Sequence, residues 1–254
     1  MKEFAQLAEQ MAEAAGALVR EGYEHLEDVE GKADGSPVTA IDRAVEVRLR
    51  EMVAERFPQH GFIGEEFPPD RPDAECVWIV DPIDGTRPFV AGLPTFAVLI
   101  GLRRAGRLVL GVIDQPVLRE RWVGLDGQGT TRNGTPCRVS ECPSLDMAVV
   151  QTSGPYSHSR AIWPRMEPVH RAGSLLLYEG EAVGFGLLAR GRVDLIVDGC
   201  LKLHDIAAPL VVLREAGAVV TDWAGRPLGN EHDGSLLAAG DARVHAEALE
   251  LLNA

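Results

Sequence analysis

The sequence predicts an α/β chain in two intimately packed lobes, and three observations predict it. At 254 residues the chain reaches the size, about 250 residues, beyond which one core tends to split. Its first part reads as two amphipathic helices followed by apolar strand-like runs joined by short turns. Its last part alternates strand and helix, as α/β units do. Hydrophobic residues are 46% and charged residues 25%, close to the globular averages of about 45–50% and 25%. Disorder, collagen and coiled coil are poor readings.

Phe4, Leu7, Ala8, Met11, Ala15 and Leu18 recur at helical spacing and predict a helix to Tyr23. The polar segment GKADGSP is a turn. Ile41, Val45, Leu49, Val53 and Phe57 mark a second helix stopped by Pro58, with Thr39 and Asp42 at capping-box spacing. CVWIV is a short buried strand; FAVLIGLRR and RLVLGVIDQP are two more, turning at Ala105-Gly106. RERWVGLDGQGTTRNG reads as strand and hairpin with Asn133-Gly134 as its turn. The first lobe, 1–143, is thus helices followed by a mainly antiparallel sheet.

The second lobe, 144–254, starts beyond the turn-rich stretch Ser140–Leu145. MAVVQTS is a strand and Leu175–Ala189 a helix carrying Gly180, Gly184 and Gly186, which suggest close packing. RVDLIVDG is a strand, and DIAAPLVVLREAG a helix with Asp205 as its N-cap and Gly217 as its end. Pro209 lies near that helix's start, where a lost hydrogen bond is tolerable. AVVTDWAG, SLLAAG and the helix RVHAEALELL complete the chain.

With 25 Lys and Arg against 38 Asp and Glu, the net charge is −13. Such a chain repels nucleic-acid backbones and anionic membranes, so neither is an expected partner. Four cysteines at 76, 137, 142 and 200 form no CxxC pair, and reduced thiols are favoured over a zinc site or disulfides. The first residues, with Glu3, Glu9 and Glu13, are no signal peptide. No apolar run approaches the roughly 18 residues of a membrane span. A cytoplasmic location is expected.

The segment WIVDPIDGT carries the most chemistry. Asp81 and Asp84, on a turn stiffened by Pro82, can point at one place, and a hard cation such as Mg²⁺ would relieve their repulsion. Gly85 allows close backbone approach, and N–H groups after it can hold phosphate. A plain Asp-Gly strand end is the structural alternative. FIGEEF, with Glu65 and Glu66, reads alone as a solvated turn. Capping suffices to explain Asp205, and His204 beside it reads as a packed or exposed histidine rather than a ligand.

Together, GEE, DPIDGT and an Asp opening a helix that ends in EAG before a TDW strand resemble the inositol monophosphatase superfamily, over nearly the whole chain. DPIDGTRPFVAGLPTFAVLIGL, LGVIDQPVLRERWVG and VDLIVDGCLKLHDIAA are similar to its histidinol-phosphate phosphatase branch. The chain departs from that branch at Gly180-Glu181, where Gly-Asp is usual, and at His204, where an aromatic residue is usual.

The resemblance implies a layered αβαβα sandwich and a Mg²⁺-dependent phosphatase with two or three ions. Their ligands would be Glu65, Asp81, the Ile83 carbonyl, Asp84 and Asp205. Thr39 and Asp42 match the family's Val-Thr-x-x-Asp element. Asp42, Glu65 and Thr86 become the catalytic set, with the Thr86 hydroxyl hydrogen-bonded to Asp42 to orient water. The Gly85 and Thr86 N–H groups would bind phosphate. Arg171, Gly173, Ser174, Glu181 and Asp198 would shape substrate binding, with the two carboxylates meeting a cationic substrate; for those two, solvent exposure is the structural alternative. Relatives imply a homodimer. The function expected is histidinol-phosphate phosphatase in histidine biosynthesis. The alternatives are an inositol-1-monophosphatase, a broad sugar- or nucleotide-phosphate phosphatase, or a catalytically silent metal-binding regulator.

Overall fold

The computed structural model describes residues 1–25, 29–31, 37–154, 161–178, 180–229 and 232–254. Helix α1, Lys2–Glu24, buries Leu7, Met11, Ala15 and Val19, the stripe its periodicity predicts. Strands β1 (Val29–Gly31) and β2 (Pro37–Thr39) pair antiparallel, so the two ends of the turn expected over 31–37, Gly31 and Pro37, are strand residues; residues 32–36 of it lie outside the described residues. Helix α2, Ala40–Arg56, starts at a Thr39 N-cap. The Thr39 hydroxyl oxygen accepts from the N–H of Ile41 and Asp42, and Asp42 Oδ2 accepts the Thr39 N–H at 2.8 Å, a reciprocal capping box.

A seven-stranded sheet follows: β3 (Gly61–Gly64), β4 (Cys76–Asp84), β5 (Ala97–Arg104), β6 (Arg107–Gln115), β7 (Glu120–Leu125), β8 (Gly129–Arg132) and β9 (Thr135–Cys137), in that spatial order. The β3–β4 pair is parallel and every other pair antiparallel. The Ala105-Gly106 and Asn133-Gly134 turns have positive φ at both residues (47° and 79°, 48° and 76°), as the twist of a tight hairpin requires. A short helix α3, Thr86–Ala91, leaves the end of β4.

The second sheet has five strands, ordered β11 (Leu175–Tyr178), β10 (Val149–Thr152), β12 (Leu195–Asp198), β14 (Leu236–Ala239) and β13 (Val219–Thr221). β10 runs parallel to β11 and β12, and β14 antiparallel to β12 and β13. Among the described residues, the helices of this part are α4 (Trp163–Ala172), α5 (Glu181–Ala189), α6 (Leu203–Ala216) and α7 (Ala242–Leu252).

Strand alternation builds the layers. Trp78, Val80, Val98 and Ile100 face α1 and α2, while Val77, Ile79, Leu99 and Ile113 face α5 and α6. The other side of α5 and α6 meets Ile196, Leu236 and Ala238 of the second sheet, whose far face packs on α4 and α7. The result is the αβαβα sandwich.

Helix α6 lies unusually close to the first sheet. Gly101, Gly111 and Gly124 stand side by side in register on β5, β6 and β7. A Cβ on Gly111 would sit 2.2 Å from the Ala208 carbonyl oxygen, and one on Gly124 2.8 Å from Val212 Cα. This glycine row lets backbone meet backbone and fixes the height of α6.

Several expectations are corrected. Leu175–Ala189 is not one helix: Leu175–Tyr178 pairs with β10 as an edge strand, and α5 begins only at Glu181. The apolar run before Gly180 fitted either element, and the free edge of β10 decided. The CVWIV strand continues through the motif to Asp84. Helices α3 and α4 and strand β3 were not anticipated. The N-cap of α6 is Lys202, and Asp205 is the third helical residue, accepting the Lys202 N–H at 2.7 Å. Pro209 is therefore the seventh residue of α6, in its second turn, with no N–H to give the Asp205 carbonyl. Gly180, Gly184 and Gly186 do serve close packing: a Cβ on the first two would strike Gln151, and on the third Trp122.

Candidate active site

The end of β4 builds the centre. Its register with β5 shifts between Asp81 and Asp84, and such a bulge re-aims side chains. Asp81 Oδ1 accepts the Ile83 N–H at 3.0 Å, which curls the strand end. Asp81, Asp84 and Asp205 each bring a carboxylate oxygen within 4.8 Å of the others. Glu65, Asp81 and the His204 ring form a second group with the same spacing. Asp81 is common to both groups. His204, expected as a packed or exposed histidine, is packed beside the cluster, with its Nε2 3.3 Å from Asp205 Oδ1.

Burial, then the charges of Glu65, Asp84, Asp205 and Asp42, pushes the Asp81 carboxyl well above the usual range. Asp84 is likewise raised by burial, then by Asp205, Glu181 and Glu65, with the Ala182 N–H offsetting part. Asp205 is raised by burial, against the pull of His204 and the Lys202 N–H. Such a set resists ionising on its own, and a divalent cation removes that resistance. The Asp81–Asp84–Asp205 group is all oxygen, the chemistry Mg²⁺ prefers, so these residues fit that ion.

Gly85, in the left-handed region at φ 88°, caps α3. A Cβ there would come 3.2 Å from Glu181 Cβ and 3.1 Å from Pro88. Glu181 therefore stands against the DPIDGT turn, itself at φ 38°, a conformation rare outside glycine. Glu181 is half-buried, at the start of α5. The Thr86 hydroxyl donates to the Ile83 carbonyl at 3.1 Å. That corrects the expected bond from Thr86 to Asp42, whose Oδ2 takes the Thr39 N–H and, at 2.6 Å, the Thr39 hydroxyl.

The remaining candidates behave differently. Asp198 is buried, not exposed, and accepts the Ser153 hydroxyl at 2.6 Å and the Gly199 N–H at 3.0 Å. Arg171 pairs with Glu167 at 2.6 Å on the exposed side of α4. Gly173 packs against Val150, and the Ser174 N–H bonds the Ala148 carbonyl. These last three are tied to α4 and β10 rather than to the carboxylates. Sequence reasoning missed Glu46, a buried carboxylate on α2 one turn past Asp42, which accepts the Glu66 N–H at 2.7 Å. Its signal was a charge on the apolar face of a predicted helix.

A sandwich of this layering with a carboxylate cluster at the end of β4 and the start of α6 fits the metal-dependent phosphatases as a class. Residues 1–254 match the inositol monophosphatase family, and the chain belongs to it. It is 35% identical over 98% of its length to the chloroplastic bifunctional phosphatase IMPL2 of Arabidopsis thaliana, of which it covers 75%. It is 33% identical to the histidinol-phosphatase of Mycobacterium tuberculosis, covering 98% of this chain and 97% of that one. An inositol monophosphatase from Zymomonas mobilis superposes with a TM-score of 0.91 at 35% identity, over 100% of this chain and 98% of the other. The chain is a phosphatase of this family, and the family's enzymes use Mg²⁺.

Proposed function

We propose that the protein hydrolyses L-histidinol phosphate to L-histidinol and phosphate, as a step of histidine biosynthesis. The observation that carries this is Glu181, whose aliphatic stem lies against Gly85 of the DPIDGT turn and whose charge acts on Asp84. A substrate with an amine and an imidazole gains charge-assisted hydrogen bonds from such a group. A histidinol-phosphatase among the relatives supports the reading.

When bound by Glu65, Asp81, the Ile83 carbonyl, Asp84 and Asp205, two or three Mg²⁺ ions would supply Lewis-acid charge and a lowered water pKa. The chain's own groups do the rest. The Gly85 and Thr86 N–H groups receive the phosphate. Because the Thr86 hydroxyl gives its proton to the Ile83 carbonyl, its oxygen lone pairs accept from the attacking water and orient it. Glu65 takes the water's proton, a role that requires a hydrogen-bond reach of about 2.6–3.2 Å. Asp42 holds the Thr39 turn beside Asp81. Water attacks directly and no phosphoenzyme forms. Asp198 shapes the substrate pocket through Ser153 and Gly199, and the working assembly is a homodimer.

The second reading is inositol monophosphatase, favoured by the superposition with the Zymomonas mobilis enzyme. A phosphate-release panel with L-histidinol phosphate, inositol 1-phosphate and adenosine 3′,5′-bisphosphate tests both. Histidinol phosphate should show the highest kcat/KM, and all turnover should stop in excess chelator. A preference for inositol 1-phosphate overturns the substrate; turnover without divalent metal overturns the chemistry.

A further inference from the structure

The segment that carries Glu65 is gripped from behind by α2. We infer that Glu46 and Arg50 are positioning residues that set Glu65 for metal binding; this rests on the proposed metal role of Glu65. Glu46 lies fully buried, and its two oxygens are used in opposite directions. Oε1 receives Arg50 Nε at 2.9 Å and Nη2 at 2.6 Å. Oε2 receives the backbone N–H of Glu66 at 2.7 Å.

Arg50 extends the grip along the chain. Its Nη2 also donates to the Phe67 and Pro68 carbonyls, both at 3.1 Å. Its guanidinium lies 4.6 Å above the centre of the Phe62 ring, which adds a cation–π contact. On the other flank of Glu65, a Cβ on Gly64 would fall 2.1 Å from the Glu46 carboxyl carbon. Both neighbours of Glu65 in sequence therefore touch the same buried carboxylate. Glu65 cannot shift along or away from the cluster without breaking one of those contacts.

A buried ion pair is a weak source of stability, since apolar residues of similar volume often serve as well. An apolar pair cannot direct a backbone N–H or bracket two carbonyls. The pair therefore does more to fix where the 64–68 backbone runs than to hold the fold. The same helix face brings Asp42, one turn earlier, beside Asp81, so α2 references both flanks of the carboxylate cluster to one rigid element.

The test is calorimetric titration of the metal-free, full-length protein with Mg²⁺, alongside its melting temperature in chelator. The variants are Glu46→Gln, Arg50→Met, Arg50→Lys and Gly64→Ala, with Glu65→Gln as the reference. Glu65→Gln should weaken the tightest Mg²⁺ step strongly. Glu46→Gln, Arg50→Met and Gly64→Ala should each raise its Kd about tenfold, or about 1.4 kcal/mol. Arg50→Lys, which keeps the charge but loses the fork, should fall between Arg50→Met and wild type. Arg50 reaches the surface, so its variants keep the test alive if Glu46→Gln does not fold. Melting temperatures that fall while the Mg²⁺ Kd stays within twofold of wild type would overturn the inference alone. A Glu65→Gln variant that binds Mg²⁺ like wild type would instead remove the metal role of Glu65, and this inference with it.

Discussion

Neutralising Asp84 should make the metal-free protein more stable and the Mg²⁺-treated protein less so. Asp84 shares a space 4.8 Å across with Asp81 and Asp205. At that separation two like charges repel by about 3.5 kcal/mol with an effective dielectric of about 20. The full repulsion is not realised, because Asp81 and Asp84 hold protons well above the usual range. Asp84→Asn keeps the shape and removes one charge, so part of that repulsion, less than about 3.5 kcal/mol, is relieved. A chain this size gains about 2–4 °C per kcal/mol, so the variant should melt several degrees above wild type in chelator. At about 100 times its Kd, Mg²⁺ stabilises wild type by about 2.7 kcal/mol, and the variant should forgo most of that. The two melting curves therefore cross as Mg²⁺ is added, and turnover of the variant should be nearly absent. A variant that melts below wild type in chelator, yet keeps the Mg²⁺ increment, would refute the reasoning.

The same carboxyls set a pH dependence. Their folded pKa values are raised, so ionisation above the ordinary carboxylate range destabilises the metal-free fold. Its stability relative to Asp84→Asn should fall as pH climbs from about 4 through the raised values; melting both proteins across that window in chelator checks it, and a constant difference would contradict it. Gly111→Ala drives a Cβ to 2.2 Å from the Ala208 carbonyl oxygen, overpacking that costs about 1–3 kcal/mol. Because α6 carries Asp205, calorimetry should also show weaker Mg²⁺ binding, and unchanged binding would uncouple α6 height from the site. Glu181→Gln should lower kcat/KM for L-histidinol phosphate roughly 10- to 150-fold, from about 1.5–3 kcal/mol per charged hydrogen bond, and leave glycerol 2-phosphate nearly unaffected at the same Mg²⁺ concentration. Equal losses on both esters would assign Glu181 to the fold.

The contrast between what the sequence showed and what it hid follows from where the deciding contacts lie. The α1 stripe, the Thr39 capping box and the two tight turns depend on residues within four positions of one another, so spacing alone reveals them. Asp81 and Asp84 were legible because a short turn joins them. Edge strand β11 was mistaken for helix because four apolar residues fit both periods, and only the open side of β10 selects between them. Glu46, His204 and the Gly101–Gly111–Gly124 row were silent for a related reason. Each meets the site, or α6, through a contact with a distant segment: Glu46 with Glu66, His204 with Glu65 and Asp81, the glycines with α6. Those hidden contacts govern the height of α6 and the path of 64–68, and hence whether Asp205 and Glu65 reach the aspartates of β4. The motif names the groups that hold charge; remote packing decides whether their oxygens converge. A chain that keeps every motif carboxylate should still bind Mg²⁺ more weakly once one methyl group is added at position 111.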